Sequence, residues 1–185
     1  MILLVNRDNI FNDSLLSNYE LVDYENYNED IIYVERDTLK YFEMLKMHLK
    51  VEGIIIDIAD GYRSYEKQEN LFLSCLNKNG MDYAEDNIDM PGYSEHHTGM
   101  AIDIAIFYND KWFNTYDECL NDILNRIYSS LKYFGFILRY TNSNIKFTNH
   151  KPNPLHIRYI GTKDSELIGN LSLEEYVNGG YDEEN

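Results

Sequence analysis

Cysteine, proline and positive charge are all scarce in this 185-residue chain, and each shortage closes off a class of explanation. There are two cysteines, Cys75 and Cys119, and no Cys-x-x-Cys, so neither a disulfide framework nor a thiolate pair for a metal is available. Both lie among apolar residues at helical spacing (Leu71, Phe72, Cys75; Cys119, Leu120, Ile123), which predicts buried free thiols. With 3 prolines and no Pro/Gly/Ser-rich tract, no linker divides the chain, and one domain over residues 1–185 is expected. Lys and Arg number 16 against 32 Asp and Glu, a formal net charge of −16. That field repels polyanions and argues against nucleic acid or an anionic membrane surface as partner. No apolar run approaches the roughly 18 residues of a membrane span. The apolar opening Met1–Val5 is too short for a signal peptide and no basic segment precedes it, so a cytoplasmic location is expected.

What is present reads as alternating helices and short strands. Residues 1–36 are largely polar and rich in Asn, Asp and Tyr, and are expected to form an irregular N-terminal arm; residues 179–185 read as a frayed tail. Asp37 looks like a helix cap, followed by Leu39, Phe42, Leu45 and Leu49 on one face and by Gly53 as the stop. Ile54–Ala59 is a β-branched run of strand length. Ser64 caps a second helix that Gly80 ends, and residues 81–95 read as a loop. From Met100 to Phe107 the pattern alternates, with Ala101, Asp103 and Ala105 on one face and Ile102, Ile104 and Ile106 on the other. Asp117 opens a strongly periodic helix, Phe136–Tyr140 and Leu155–Ile160 are short strands, and Ser172-Leu-Glu-Glu175 is a capping box. The expectation is an α+β fold, a small and mainly antiparallel sheet with helices packed against it.

Four of the five histidines, and acids with them, fall near two short stretches, Ser94–Asp103 and Asn153–Tyr159. A catalytic zinc takes three His or carboxylate ligands and keeps a fourth position open. His96 where a loop enters a strand, Asp103 on that strand and His156 on another could supply them, with Gly99 permitting the turn and Ala101 leaving room beside Asp103. Spacing alone leaves a second possibility open, since a buried Asp on an apolar strand is satisfied equally by a metal or by an Arg.

The pattern Ser-x-His-x-x-Gly-x-Ala-x-Asp, followed some fifty residues later by His-x-Arg-Tyr, resembles the VanY/VanX-type D-alanyl-D-alanine carboxypeptidases and dipeptidases. Asp60-Gly-Tyr-Arg-Ser-Tyr-Glu-Lys-Gln68, Pro91-Gly-Tyr-Ser-Glu-His96 and Gly135-Phe-Ile-Leu-Arg-Tyr140 agree with it in order along the chain. The resemblance implies a zinc-peptidase fold of the hedgehog/D,D-peptidase kind, with His96, Asp103 and His156 as ligands of Zn2+. It implies Arg63 as the catalytic arginine, Ser94 as a substrate-contacting serine, and a D-Ala-ended dipeptide or peptidoglycan precursor peptide as substrate. Asp60 before Gly-Tyr-Arg looks more like the cytoplasmic bifunctional members and would sit near the substrate's amino end. His97 is expected beside the ligands or exposed, and His48 and His150 have no role in the pattern.

One departure stands out. The family's second motif is Glu-x-x-His, commonly Glu-Pro-Trp-His, whose Glu passes a proton from the attacking water to the leaving amine. Here it is Asn153-Pro154-Leu155-His156, and residues 141–155 contain no Asp or Glu. Asn153 cannot accept that proton at neutral pH, so the resemblance implies either a weakened peptidase or an inactive homologue that binds D-Ala-ended peptides as a sensor or partner protein. Glu95 and His150 are the side chains a rescue would draw on.

Overall fold

The computed structural model describes residues 2–12, 14 and 19–179. A two-stranded hairpin, β1 (Leu21–Glu25) and β2 (Ile31–Glu35), leads into helix α1 (Arg36–Val51). Strand β3 (Ile55–Asp60) and helices α2 (Tyr65–Asn79) and α3 (Met81–Asn87) follow. Strands β4 (Ala101–Tyr108) and β5 (Lys111–Phe113) come next, then helix α4 (Asn121–Leu131) and strand β6 (Phe136–Leu138). Helix α5 (Ile145–Thr148), strand β7 (His156–Tyr159) and the short helices α6 (Thr162–Leu167) and α7 (Leu173–Val177) complete the described chain.

The main sheet has the order β3-β4-β7-β6, with β5 paired to β4, and every pairing is antiparallel. Its period-2 pattern sorts side chains between two faces. Ile102, Ile104 and Ile106 of β4, Ile56 and Ile58 of β3 and Ile157 of β7 are fully buried and meet Phe42, Leu45 and Leu49 of α1 and Leu124, Ile127 and Leu131 of α4. Burying each such side chain contributes roughly 1.5–3 kcal/mol. The opposite parity of β4 and β7 carries Asp103 and His156, and a bulge between Ile58 and Asp60 shifts β3 so that Asp60 joins them. Register places Asp60 of β3 opposite Asp103 of β4, and Asp103 opposite His156 of β7. One row across three strands therefore collects three of the residues singled out by motif.

Several expectations are corrected. The supposedly irregular arm contains the β1–β2 hairpin, and its second strand braces the site: the Tyr62 amide donates to Tyr33 O (2.7 Å) and the Glu35 amide to Gly99 O (2.9 Å). Five-residue strands interleaved with Asn, Asp and Tyr carry too little hydrophobic signal to stand out. The cap of α1 is Glu35, whose carboxylate accepts from the amides of Asp37 and Thr38. Residues 81–87 form α3, and Glu95–Thr98 form a 3-10 turn, within what the composition gives as loop. Asp117 opens a 3-10 turn, with α4 starting at Asn121. Cys75 is only partly buried and Cys119 is exposed, so neither is the buried thiol that its apolar neighbours predicted. Ser64 and the Ser172/Glu175 capping box stand as expected. Of the expected frayed tail, only residue 179 lies within the described residues. None of the described helices is long and apolar enough to cross a membrane.

Candidate metal centre

The turn that delivers His96 depends on a close approach. Gly99 has φ +68°, and a Cβ there would lie 2.6 Å from Leu21 and 3.0 Å from the Glu35 amide nitrogen, so any other residue would push the hairpin away. Gly61 is equally constrained, since a Cβ would stand 2.5 Å from Tyr33 O. Its own carbonyl accepts from His96 Nδ1 at 2.7 Å, which leaves His96 Nε2 with a lone pair, 3.3 Å from Asp103 Oδ2. On the other side, His156 Nδ1 lies 3.0 Å from Asp103 Oδ1. One ligand atom each from His96, Asp103 and His156 falls within 4.8 Å of the other two.

Donor chemistry fits zinc: two imidazoles and one carboxylate from three separate backbone segments, with no thiolate and no fourth protein ligand in the group among the described residues. Asp103 keeps 21% of its side chain exposed while His96 and His156 are buried, so the set opens to solvent on the carboxylate side. Electrostatics agree. Burial works to raise the Asp103 carboxyl, but His96 and His156 outweigh it and hold it well below the usual carboxylate range. Burial and the Arg63 charge push the His96 imidazole down, so it is neutral and ready to ligate. Burial would lower His156 too, yet the Asp103 and Glu95 carboxylates flanking it raise it to about 8.

Arg63 reaches this set directly. Its Nη2 donates to Asp103 Oδ2 (3.0 Å), its Nε to Asp60 Oδ2 (2.8 Å) and its Nη1 to Gln68 Oε1 (3.3 Å). Fully buried Gln68 is tied in turn to Asp89 O. Asp60 also accepts from Lys67 Nζ at 2.9 Å. Burial tends to raise the Asp60 carboxyl, and Arg63, His96 and Lys67 overcome this and hold it low. Ser94 is fully buried and its Oγ has no hydrogen-bond partner among the described residues. His97 is neither exposed nor a ligand. Its Nε2 accepts from the Gly92 amide (2.9 Å), so Nδ1 is the protonated nitrogen and donates to Arg63 O (2.7 Å), clamping the arginine's backbone.

Asn153 stands at the entry to β7. Its Oδ1 accepts from the Leu155 amide (3.2 Å) and its own amide donates to Tyr140 O (3.1 Å), the side-chain turn that Asn and Asp both make. Glu95 offers no replacement for the missing acid: it is buried, and Arg139 and Arg158 overcome its burial to hold it far below the usual range, which makes it a poor proton acceptor. His150 stacks on Tyr140 with centroids 3.8 Å apart, and its Nδ1 is engaged with Lys151 O. His48 on α1 is not part of this set and lies 3.3 Å from Glu52 at the end of its helix.

Sequence reasoning passed over a buried ionic array behind the ligands. Arg139 Nε donates to Glu95 Oε1 (2.8 Å), and its Nη1 and Nη2 donate to the two oxygens of Glu174 on α7 (3.0 and 2.6 Å). Its members come from three distant segments, and the hint lay in charged residues inside apolar surroundings, Gly-Phe-Ile-Leu-Arg-Tyr and Ser-Leu-Glu-Glu.

Comparison with known proteins bears on this geometry. The family model described as VanY, D-alanyl-D-alanine carboxypeptidase, matches residues 31–162. A putative carboxypeptidase, YodJ, of Bacillus subtilis (strain 168) is 31% identical over 149 residues, covering 78% of this chain and 53% of the relative. The bifunctional D-Ala-D-Ala dipeptidase and carboxypeptidase VanXYC of Enterococcus gallinarum is 29% identical over 158 residues, covering 81% of this chain and 80% of the relative. The chain thus spans about half the length of YodJ and most of VanXYC. Among solved structures, the D,D-dipeptidase VanXYg with a D-Ala-D-Ala phosphinate analog superposes with TM-score 0.83 at 29% identity, covering 100% of this chain and 73% of the other. A VanY D,D-pentapeptidase variant in complex with Zn(II) gives TM-score 0.77 at 26% identity, covering 95% and 98%.

Proposed function

Because the chain belongs to the VanY D-alanyl-D-alanine carboxypeptidase family, we propose that its cleft takes the D-Ala end of a dipeptide or of a peptidoglycan precursor peptide, with hydrolysis slowed by the loss of the proton-transferring carboxylate. The observation that carries this reading is the convergence of His96, Asp103 and His156 with Arg63 hydrogen-bonded to the same Asp103. Zinc bound there would be held by these three residues and would supply Lewis-acid polarisation of the scissile carbonyl and acidification of water. Arg63 presents guanidinium N–H groups beside Asp103, where they stabilise the negative charge that develops on the carbonyl oxygen. Asp60 fixes Arg63 through its Nε and adds negative charge where a substrate ammonium would be received. Ser94, fully buried with an unpartnered hydroxyl among the described residues, is the side chain that the family resemblance assigns to the substrate. Asn153 keeps the turn but neither takes the proton from water nor returns it to the leaving amine.

A second reading, a binding protein for D-Ala-ended peptides that has given up hydrolysis, draws on one observation: the Asn153 side-chain oxygen is committed to the Leu155 amide, and the buried Glu95 is held too acidic to take over the proton. One experiment separates the two. Zinc per chain and D-Ala release from D-Ala-D-Ala and from the pentapeptide are measured for the wild type and for Asn153→Glu. The primary reading expects one zinc per chain, slow release by the wild type and faster release by the variant. Release by the variant alone supports the binding protein. Failure of the wild type to take up zinc sinks both.

A further inference from the structure

We propose that Glu95 is a positioning residue for the metal centre: its carboxylate accepts the Nε2–H of His156 and so leaves Nδ1 as the nitrogen that meets the cation. This rests on the reading of His96, Asp103 and His156 as a metal site. The observation behind it is a matched pair of orphans. Glu95 Oε2 and His156 Nε2 are both buried, and neither has a hydrogen-bond partner among the described residues. They face each other at 3.5 Å, short of a formed hydrogen bond and within a few tenths of an ångström of one. No other acceptor meets the His156 Nε2 proton among the described residues, and two buried polar atoms facing one another unmade are costly.

Geometry fixes which carboxylate oxygen does this. Glu95 Oε1 is taken by Arg139 Nε at 2.8 Å, and Arg139 is itself locked by two bonds to Glu174, which also accepts from Asn6 Nδ2 at 3.1 Å. The side chains of Glu95 and Arg139 are fully buried, so the carboxylate cannot turn away to solvent. Its second oxygen is thereby aimed at the back of the His156 ring, while the front nitrogen faces Asp103 at 3.0 Å. A ligand histidine held from behind by a carboxylate keeps its proton on that nitrogen and has its ring angle set before the ion arrives, an arrangement typically worth about 10–100-fold in metal affinity. The two histidines consequently present different nitrogens: His96 is held through Nδ1 by Gly61 O and ligates through Nε2, whereas His156 is held through Nε2 and ligates through Nδ1.

The decisive measurement uses the intact wild-type chain loaded with zinc. Long-range proton–nitrogen correlation spectra of the histidine rings should show His156 Nε2 protonated and Nδ1 carrying the metal shift, with the opposite assignment for His96. A His156 ring metallated through Nε2 overturns the proposal while leaving the metal site standing. If the wild type takes no zinc, the proposal and the site reading fall together. Glu95→Gln supplies a second readout, because Gln has one acceptor oxygen where Arg139 and His156 each need one. Competition against a chelator should show zinc bound about 10–100-fold more weakly by this variant. An unchanged affinity in a variant with a cooperative melt also overturns the proposal.

Discussion

The stretch from Asp60 to Asp103 and the stretch from Thr141 to His156 face each other across one cleft, and they are held by different forces. In the first, it is the side chains that are held: Arg63 is fixed by Asp60, Gln68 and Asp103, and His96 and His97 are each pinned to a backbone carbonyl at 2.7 Å. Substituting any of them strands a partly buried charge or donor. Along the approach to His156, it is the main chain that is held, through the Asn153 amide on Tyr140 O and the Tyr128 hydroxyl on Pro154 O. There the one side-chain contact of Asn153 is a turn bond that Asn makes as well as an acid does. Chemistry can therefore be lost at position 153 with no loss to the fold, and cannot be lost at Arg63 or Asp103 without disturbing it.

The largest effect expected from this contrast is on turnover. Asn153→Glu restores a carboxylate at the entry to β7 and should raise D-Ala release by about 10²–10⁴-fold, the usual worth of a positioned general base, with little change in thermal stability. A large fall in melting temperature on that substitution would contradict the claim that position 153 is structurally permissive. The opposite behaviour is expected at the back of the site. Arg139→Ala leaves Glu95 and Glu174 buried without their shared cation and should cost about 3–5 kcal/mol in denaturant unfolding. A loss below about 1 kcal/mol would mean that the array is dispensable.

These two residues also mark the boundary of what the amino-acid order discloses. The candidate ligands His96 and Asp103 stood out because His96, Gly99, Ala101 and Asp103 lie within eight positions and their pattern maps onto one 3-10 turn and one strand. His156, fifty-three residues beyond Asp103, needed the family resemblance, since only the β4–β7 register brings it alongside. Glu95, Arg139 and Glu174 were unreadable as a unit: each is an ordinary charged residue until the sheet and α7 bury all three together. Exposure of Cys119 and the hairpin at residues 21–35 escaped for a related reason, that apolar neighbours in sequence need not share a face in space.

A smaller effect should appear in the pH dependence of zinc binding, again dividing the two sides. His96, depressed by burial and Arg63, is already neutral at pH 7 and gives up no proton to a metal. His156, raised to about 8 by its two carboxylates against burial, is mostly protonated there and must lose one. Metal uptake therefore expels about one proton below pH 8, and affinity should climb roughly tenfold per pH unit from 6 towards 8 before levelling off. Calorimetry in buffers of different ionisation heat counts that proton. Its absence at pH 6.5, or an affinity flat from pH 6 to 8, would place the titrating group elsewhere.

The smallest effect concerns selectivity at Asp60. Both its oxygens are engaged, one by Arg63 and one by Lys67, but Lys67 is about half exposed (48%) and held by that single contact, so an incoming ammonium can take its place at little cost. A dipeptide carries its free ammonium close to the scissile bond, and a pentapeptide does not. Asp60→Ser should therefore lower the ratio of dipeptide to pentapeptide turnover by about two- to fivefold, the range of a screened, solvent-touching ion pair. Measured in the Asn153→Glu background, where both rates are large enough to compare, an unchanged ratio with both rates reduced in parallel would show that Asp60 acts only by holding Arg63, and that the ammonium is recognised by some other group or not at all.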